Sequence, residues 1–364
     1  MVVVNCSIST EDFMATLDSQ AVLGTSVVFQ AISILTFILG VPGNGLVLWM
    51  LSFHVPLTET TLLYLNLSLA DFFYVLFVPL RVVYSSRLFD WPFGDFLCKI
   101  DFFVAFLNMY ASVFFLAVVS TDRCLLVTLP VWYRKRRSKR VSLLACIFVW
   151  LLSVMLCAPY LFYANAQIMF NRTICFINYD PRDEGSMHGW REKTMVIIRL
   201  LMAFFLPVFI IISCYVVIGL RVRRMNLGNP ARVYKIAIVT VLAFFINWTP
   251  YQLFSIISLF QNSELSCSFH PSVFVGYPVV YAFAYLNSCI NPILYVFMGG
   301  GFTRKLVKSL AATFEKAFKE DDLLEKKRTG RGLSFRPSLA KLSREASIPT
   351  LPQIVNPGFC EDQP

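Results

Sequence analysis

Charge is scarce in this chain: Asp, Glu, Lys and Arg together make up 15% of its 364 residues, against about 25% in soluble domains. Set beside 57% hydrophobic residues and a mean hydropathy of +0.64, that scarcity excludes an ordinary soluble domain and points to several membrane spans. Histidine is nearly missing, with His54, His188 and His270 scattered along the chain. There is no HExxH, no GxSxG and no phosphate-binding glycine loop, so enzyme readings lack their parts. Inverted repeats and clustered midplane charges are missing too, which argues against a transporter. The first 25 residues hold no Lys or Arg.

What is present is a series of seven apolar runs: Val27 to Leu51, Leu62 to Tyr84, Leu97 to Val127, Leu143 to Tyr163, Met195 to Ile218, Ile236 to Phe260 and Val273 to Met298. Each is long enough to cross a bilayer. They are continuous runs rather than alternating ones, which excludes an outer-membrane barrel and leaves helices. The fold expected is an all-α membrane protein, a seven-transmembrane helix bundle with an amphipathic interfacial helix. Residues 1–25 read as an extracellular tail, 26–298 as the bundle, 299–319 as the interfacial helix and 320–364 as a disordered cytoplasmic tail. Phe302, Leu306, Leu310, Phe314 and Phe318 recur at four-residue spacing among Arg304, Lys305 and Lys308, the pattern of a helix facing anionic headgroups. The tail beyond carries Thr329, Ser334, Ser338, Ser343, Ser347 and Thr350, open to phosphorylation.

The net charge of +10 is no nucleic-acid footprint, because the basic residues cluster in alternate loops and the tail. Arg134 to Arg140, the Arg221 to Lys235 loop and the stretch after Gly301 are basic, so the N-terminus is expected outside and the C-terminus in the cytoplasm. Ser52 to Thr61 dissents, with no Lys or Arg. Of ten cysteines, most lie in spans. Cys98 and Cys175 fall on the outer side and could pair, and Cys6 with Cys267 forms a second candidate pair. Sequons at Asn5 and Asn171 lie on that same side, and the long outer loop from Ala164 to Glu192 reads as a structured lid tethered by its cysteine.

Three polar constellations interrupt the apolar runs. Asp71 lies about 14 Å along the helix from the nearer end of its span, close to the midplane. A carboxylate there costs at least about 2.5 kcal/mol, so it is expected to face the interior and to be functional. With Ser112, Asn287 and Asn291 it could form an oxygen-lined cage, and one carboxylate with neutral oxygens suits a monovalent cation such as sodium, as an allosteric occupant. At the inner end of the third span, Asp122 and Arg123 stand side by side. A local ion pair between them can hold Arg123 in one orientation, and protonating Asp122 or inserting a cytoplasmic partner would free it. Bends are expected at Pro159, Pro207, Pro250 and Pro292, and Trp248 beside Pro250 can rock when pressed from above.

Gly43-Asn44, Leu67 to Asp71, Cys98, Asp122-Arg123, Trp150, Pro207 with Tyr215, Phe244 with Trp248 and Pro250, and Asn291-Pro292-Ile293-Leu294-Tyr295 follow in order along the chain. Together they resemble the signature of rhodopsin-like G-protein-coupled receptors, covering roughly Gly40 to Lys319. Asp122-Arg123-Cys124 followed by Leu129-Pro130-Val131-Trp132, then Pro250-Tyr251-Gln252, Asn287-Ser288-Cys289 and Tyr295 to Gly299, resemble the chemoattractant group. That group comprises receptors for formyl peptides, complement anaphylatoxins, chemerin and related lipid mediators. The resemblance implies a plasma-membrane receptor that couples to inhibitory heterotrimeric G proteins through Asp122, Arg123, Tyr215 and Tyr295, with receptor kinases and arrestin following. It makes Cys98–Cys175 the family's outer disulfide, while the Cys6 and Cys267 pair resembles one of chemokine receptors. A scavenging receptor that binds without G-protein signalling is the alternative.

The ligand site is expected around Arg199, about 6 Å below the outer end of the fifth span, where a bare guanidinium must face a cavity or an anion. Apolar neighbours on all sides leave its face undetermined by periodicity. Arg81, near the outer end of the second span, could converge on the same space; headgroup snorkelling or an internal ion pair is the alternative for either arginine. Guanidinium binds carboxylate bidentately, so a ligand with an anionic end is expected, a peptide or a lipid. Phe106, Trp248, Tyr251 and Gln252 complete the expected ligand contacts. Several relatives carry an arginine matching Arg199 and use it to meet an acidic group. Formyl-peptide receptors add an aspartate and a second arginine where this chain has Phe106 and Met195, which argues against formylmethionine.

Overall fold

A computed structural model describes residues 20–169, 172–179, 190–224, 231–264 and 271–298, all within one of the chain's two units, Met1–Ser309. Asn5, Cys6, Asn171, Cys267, the interfacial helix 299–319 and the tail lie outside the described residues, as does the side chain of Tyr295.

Among the described residues, seven long helical stretches carry the fold: Gln20–Phe53, Glu59–Ser86, Gly94–Thr128, Lys139–Tyr163, Trp190–Arg224, Ala231–Glu264 and Pro271–Met298. Among the described residues, the first five are long and apolar enough to cross a membrane, and the sixth holds the apolar segment Val241–Ile257. The seventh has 28 residues, about 42 Å at 1.5 Å per residue. The third span is the axis of the bundle. Its most apolar window is 72% buried, and it packs against the second, fourth, fifth and sixth. Ile246, Phe209 and Leu151 point outward and exposed, as lipid-facing side chains do.

Local chemistry explains where these helices start and bend. Thr58 opens the second with a reciprocal capping box to Thr61, which satisfies two orphan donors. That span is interrupted at Leu76 and Phe77, just before Pro79, a bend the sequence reading did not include. In the fifth, Pro207 has no N–H to offer Ala203, and the helix widens to a five-residue step in which the Leu206 N–H bonds the Leu201 carbonyl. The first and seventh spans meet closely at Gly43, where a Cβ would lie 3.1 Å from Pro292 Cβ. Asn44 seals that seam by donating to the Ser288 carbonyl at 2.7 Å.

The loop after the fourth span contains two strands: β1 (Ala164–Met169) pairs antiparallel with β2 (Arg172–Ile177), Ala166 opposite Cys175. Cys175 is bonded to Cys98 near the N-terminal end of the third span. Polar bonds bolt the hairpin down further. The Trp91 N–H donates to the Thr173 carbonyl at 2.7 Å, the Thr173 N–H to Asp90 Oδ1 at 3.0 Å, and Arg172 Nη1 to the Leu88 carbonyl at 2.9 Å.

Candidate functional site

Beneath the hairpin, Arg199 points into the bundle and is only 2% exposed, which settles the face that periodicity left open. Its Nε donates to Gln252 Oε1 at 3.4 Å. Its guanidinium lies 4.8 Å from the Tyr251 ring centroid and 5.7 Å from that of Phe106, within cation–π range. The phenols of Tyr251, Tyr160, Tyr179 and Tyr110 are near enough to interact with it electrostatically. Among the described residues no carboxylate forms a salt bridge with it. Gln252 also donates to Met109 Sδ at 3.8 Å, and Phe106 stacks on Tyr160 with centroids 3.8 Å apart. Trp248 packs below, 6.0 Å from Tyr251 and 6.1 Å from Phe244.

Arg81 behaves differently from the expectation that it would serve an anionic ligand beside Arg199. It forms a buried salt bridge with Asp101 and lies 4.6 Å from the Phe102 ring centroid and 5.8 Å from that of Trp91. A carboxylate from the same bundle already neutralises it. Sequence reading passed over Asp101, and the signal was there: an acid three residues after Cys98, inside a span, is as much in need of a partner as Asp71.

Asp71 is fully buried. Its Oδ1 accepts from Asn108 Nδ2 at 2.9 Å and its Oδ2 from Asn291 Nδ2 at 2.7 Å. Asn108 Nδ2 also reaches Ser112 Oγ at 3.4 Å, and Ser288 Oγ donates to Asn108 Oδ1 at 3.3 Å. Asn291 and Ser112 thus sit in the network as expected, but Asn287 does not. It is buried one turn earlier, and its amide nitrogen has no partner among the described residues. Asn108 and Ser288 stand in its place. Asn108 was recognisable as a carboxamide four residues before Ser112 on the third span, where residues four apart share a face.

At the C-terminal end of the third span the expected Asp122–Arg123 ion pair is not formed. Asp122 instead accepts from Arg137 Nε at 2.8 Å, Arg137 Nη2 at 2.9 Å and the Tyr133 hydroxyl at 2.9 Å. Burial and the adjoining carboxylate push the Tyr133 phenol up to about 12, so it stays a donor through the physiological range. Arg123 reaches the Tyr64 phenol, its Nε without a partner among the described residues, and Tyr215 lies beside Ser120 and Arg123.

Long apolar helices packed around a polar axis, a buried arginine beneath a disulfide-tethered hairpin and an Asp-Arg element at the opposite end of the third span define a membrane receptor. The chain matches the family 7 transmembrane receptor (rhodopsin family) over residues 43–295, and it belongs to that family, as a chemoattractant-type member. It is 37% identical over 288 residues to chemerin-like receptor 2 of Rattus norvegicus, covering 79% of this chain and 80% of the relative. Chemerin-like receptor 2 of Homo sapiens is 36% identical over 279 residues, covering 76% and 77%. Chemerin-like receptor 1 of Homo sapiens is 34% identical over 295 residues, covering 78% of each. The chain is therefore a multi-pass plasma-membrane receptor and not an enzyme.

Proposed function

We propose that this receptor binds an extracellular chemoattractant through an anionic group that Arg199 receives, and that it activates a heterotrimeric G protein of the inhibitory class. The observation that carries the reading is the buried Arg199 guanidinium, set among Tyr251, Gln252 and Phe106 with no carboxylate bridged to it among the described residues. A buried cation is expensive until an anion pairs with it, so ligand binding supplies what the pocket lacks. The N-terminus faces outward, and arrestin and receptor kinases act on the cytoplasmic side. The relatives' names point to chemerin-like peptides as the first ligands to try.

Sodium at Asp71 belongs to the same proposal. Each carboxylate oxygen accepts one hydrogen bond from an asparagine, and an ionised carboxylate offers about four lone-pair positions. Capacity remains for a cation, which Asp71 and the Ser112 hydroxyl would hold. When bound, the ion supplies a counter-charge at the midplane.

The decisive experiment measures inhibition of cyclic AMP and arrestin recruitment in receptor-null cells against acidic peptides and lipid mediators, with Arg199→Gln alongside. Inhibition lost in the variant at equal surface expression is the expected result. Arrestin recruitment with no G-protein response to any agonist would instead identify a scavenger.

A further inference from the structure

Arg137 stands just before Ser138, the residue that caps the fourth span by accepting from the Val141 N–H. Its guanidinium grips both oxygens of Asp122, at 2.8 and 2.9 Å. The same Nη2 donates to Thr60 Oγ1 at 2.6 Å, and Nη1 lies 3.6 Å from Glu59. One side chain thus ties the start of the second span and the end of the third to the threshold of the fourth. The pairing is a fork of two parallel N–H donors on one carboxylate, a geometry that lysine does not reproduce. The backbone prepares it: the Arg137 N–H closes the short helix Pro130–Arg136 on the Tyr133 carbonyl at 2.7 Å, and Tyr133 supplies the third donor to Asp122.

We propose that Arg137 is a positioning residue of the cytoplasmic switch, which by occupying Asp122 keeps Arg123 free of a carboxylate and ready for the G protein. Arg123 makes no salt bridge among the described residues, and its guanidinium leans on the neutral Tyr64 phenol instead. Take Arg137 away, and Asp122 keeps one neutral donor and an unmet charge; the neighbouring guanidinium on its own helix is Arg123. Captured there, Arg123 is withdrawn from the cytoplasmic partner. The inference rests on the signalling reading for its consequence and on geometry alone for the clamp.

Two measurements on the full-length receptor in lipid nanodiscs test it. The first is a double-mutant cycle in thermal midpoint with Arg137→Gln, Asp122→Asn and both together. Each single variant should lower the midpoint by several degrees, and the pair should lose no more than the worse single; additive losses would show that the two side chains are not coupled and overturn the clamp. The second is agonist-free GTPγS binding to an inhibitory G protein. Arg137→Gln should reduce it by about fivefold, Arg137→Lys should fall between, and Arg137→Gln in an Asp122→Asn background should change nothing. Exchange in Arg137→Gln equal to or above the parent would refute the positioning role. If the parent itself drives no exchange above the receptor-free level, the signalling reading and the positioning role fail together, while the thermal cycle still decides whether the clamp exists.

Discussion

Asn291 donates a 2.7 Å hydrogen bond to the Asp71 carboxylate across 220 residues of sequence. That bond joins the second span to the seventh, one residue before Pro292 of that helix. With Asn108 holding the other oxygen from the third span, a single buried charge gathers three helices. Any change in their relative position must rearrange its donors.

Removing the charge should therefore uncouple the receptor from salt. In the parent, replacing sodium by N-methylglucamine should raise agonist affinity about fivefold or more, the scale of a coupling free energy between two sites. Asp71→Asn should show no difference between the two buffers in radioligand saturation curves. A sodium effect that survives in the variant would place the ion elsewhere.

Arg199 is expected to act in binding alone. Losing a hydrogen bond to a charged group costs about 1.5–3 kcal/mol, so Arg199→Gln should shift agonist potency by roughly ten- to a hundredfold with surface expression retained. Arg199→Lys should restore little of it, because an ammonium lacks the planar fork and stacks poorly over Tyr251 and Phe106. Concentration–response curves for cyclic AMP decide the matter.

Arg81 should report on folding instead. Arg81→Gln leaves Asp101 buried and unpaired, with an expected loss of about 3–5 kcal/mol in stability. Adding Asp101→Asn should restore most of it, since both charges then disappear together. A thermal midpoint series in nanodiscs reads this directly, and a large potency loss in a stable Arg81→Gln would return that arginine to the ligand site.

The hairpin depends on its tether. Cys98→Ala should lower stability by about 2–4 kcal/mol, as opening a long disulfide-closed loop does, and should expose β2 to limited proteolysis. The bonds from Trp91, Thr173 and Arg172 should hold part of the hairpin, so the loss of agonist affinity is expected to be partial.

Much of this receptor can be read without coordinates, because the bilayer makes burial a local property. A run of twenty apolar residues must cross, an aspartate in its middle must turn inward, and an arginine below the rim must face a cavity, whatever the rest of the chain does. Asp71, Arg199 and the seven spans were legible on those grounds. The hairpin was not, since Ala164 to Ile177 lies outside the membrane, where no such constraint acts and the strands are held by contacts with Asp90, Trp91 and Asp95.

For Asp122, Arg81 and one oxygen of Asp71, partner choice was decided by tertiary structure. Sequence placed Asp122 beside Arg123, yet the carboxylate went to Arg137, fifteen residues on. It placed Asn287 near Asp71, yet Asn108, thirty-seven residues from the aspartate, took the oxygen. It offered Arg81 to a ligand, yet Asp101 claimed it. Hydropathy measures what a side chain costs in lipid, which depends on that side chain and its depth. Which neighbour offsets the cost depends on how helices far apart in sequence rotate and pack, and that is settled only when the bundle closes.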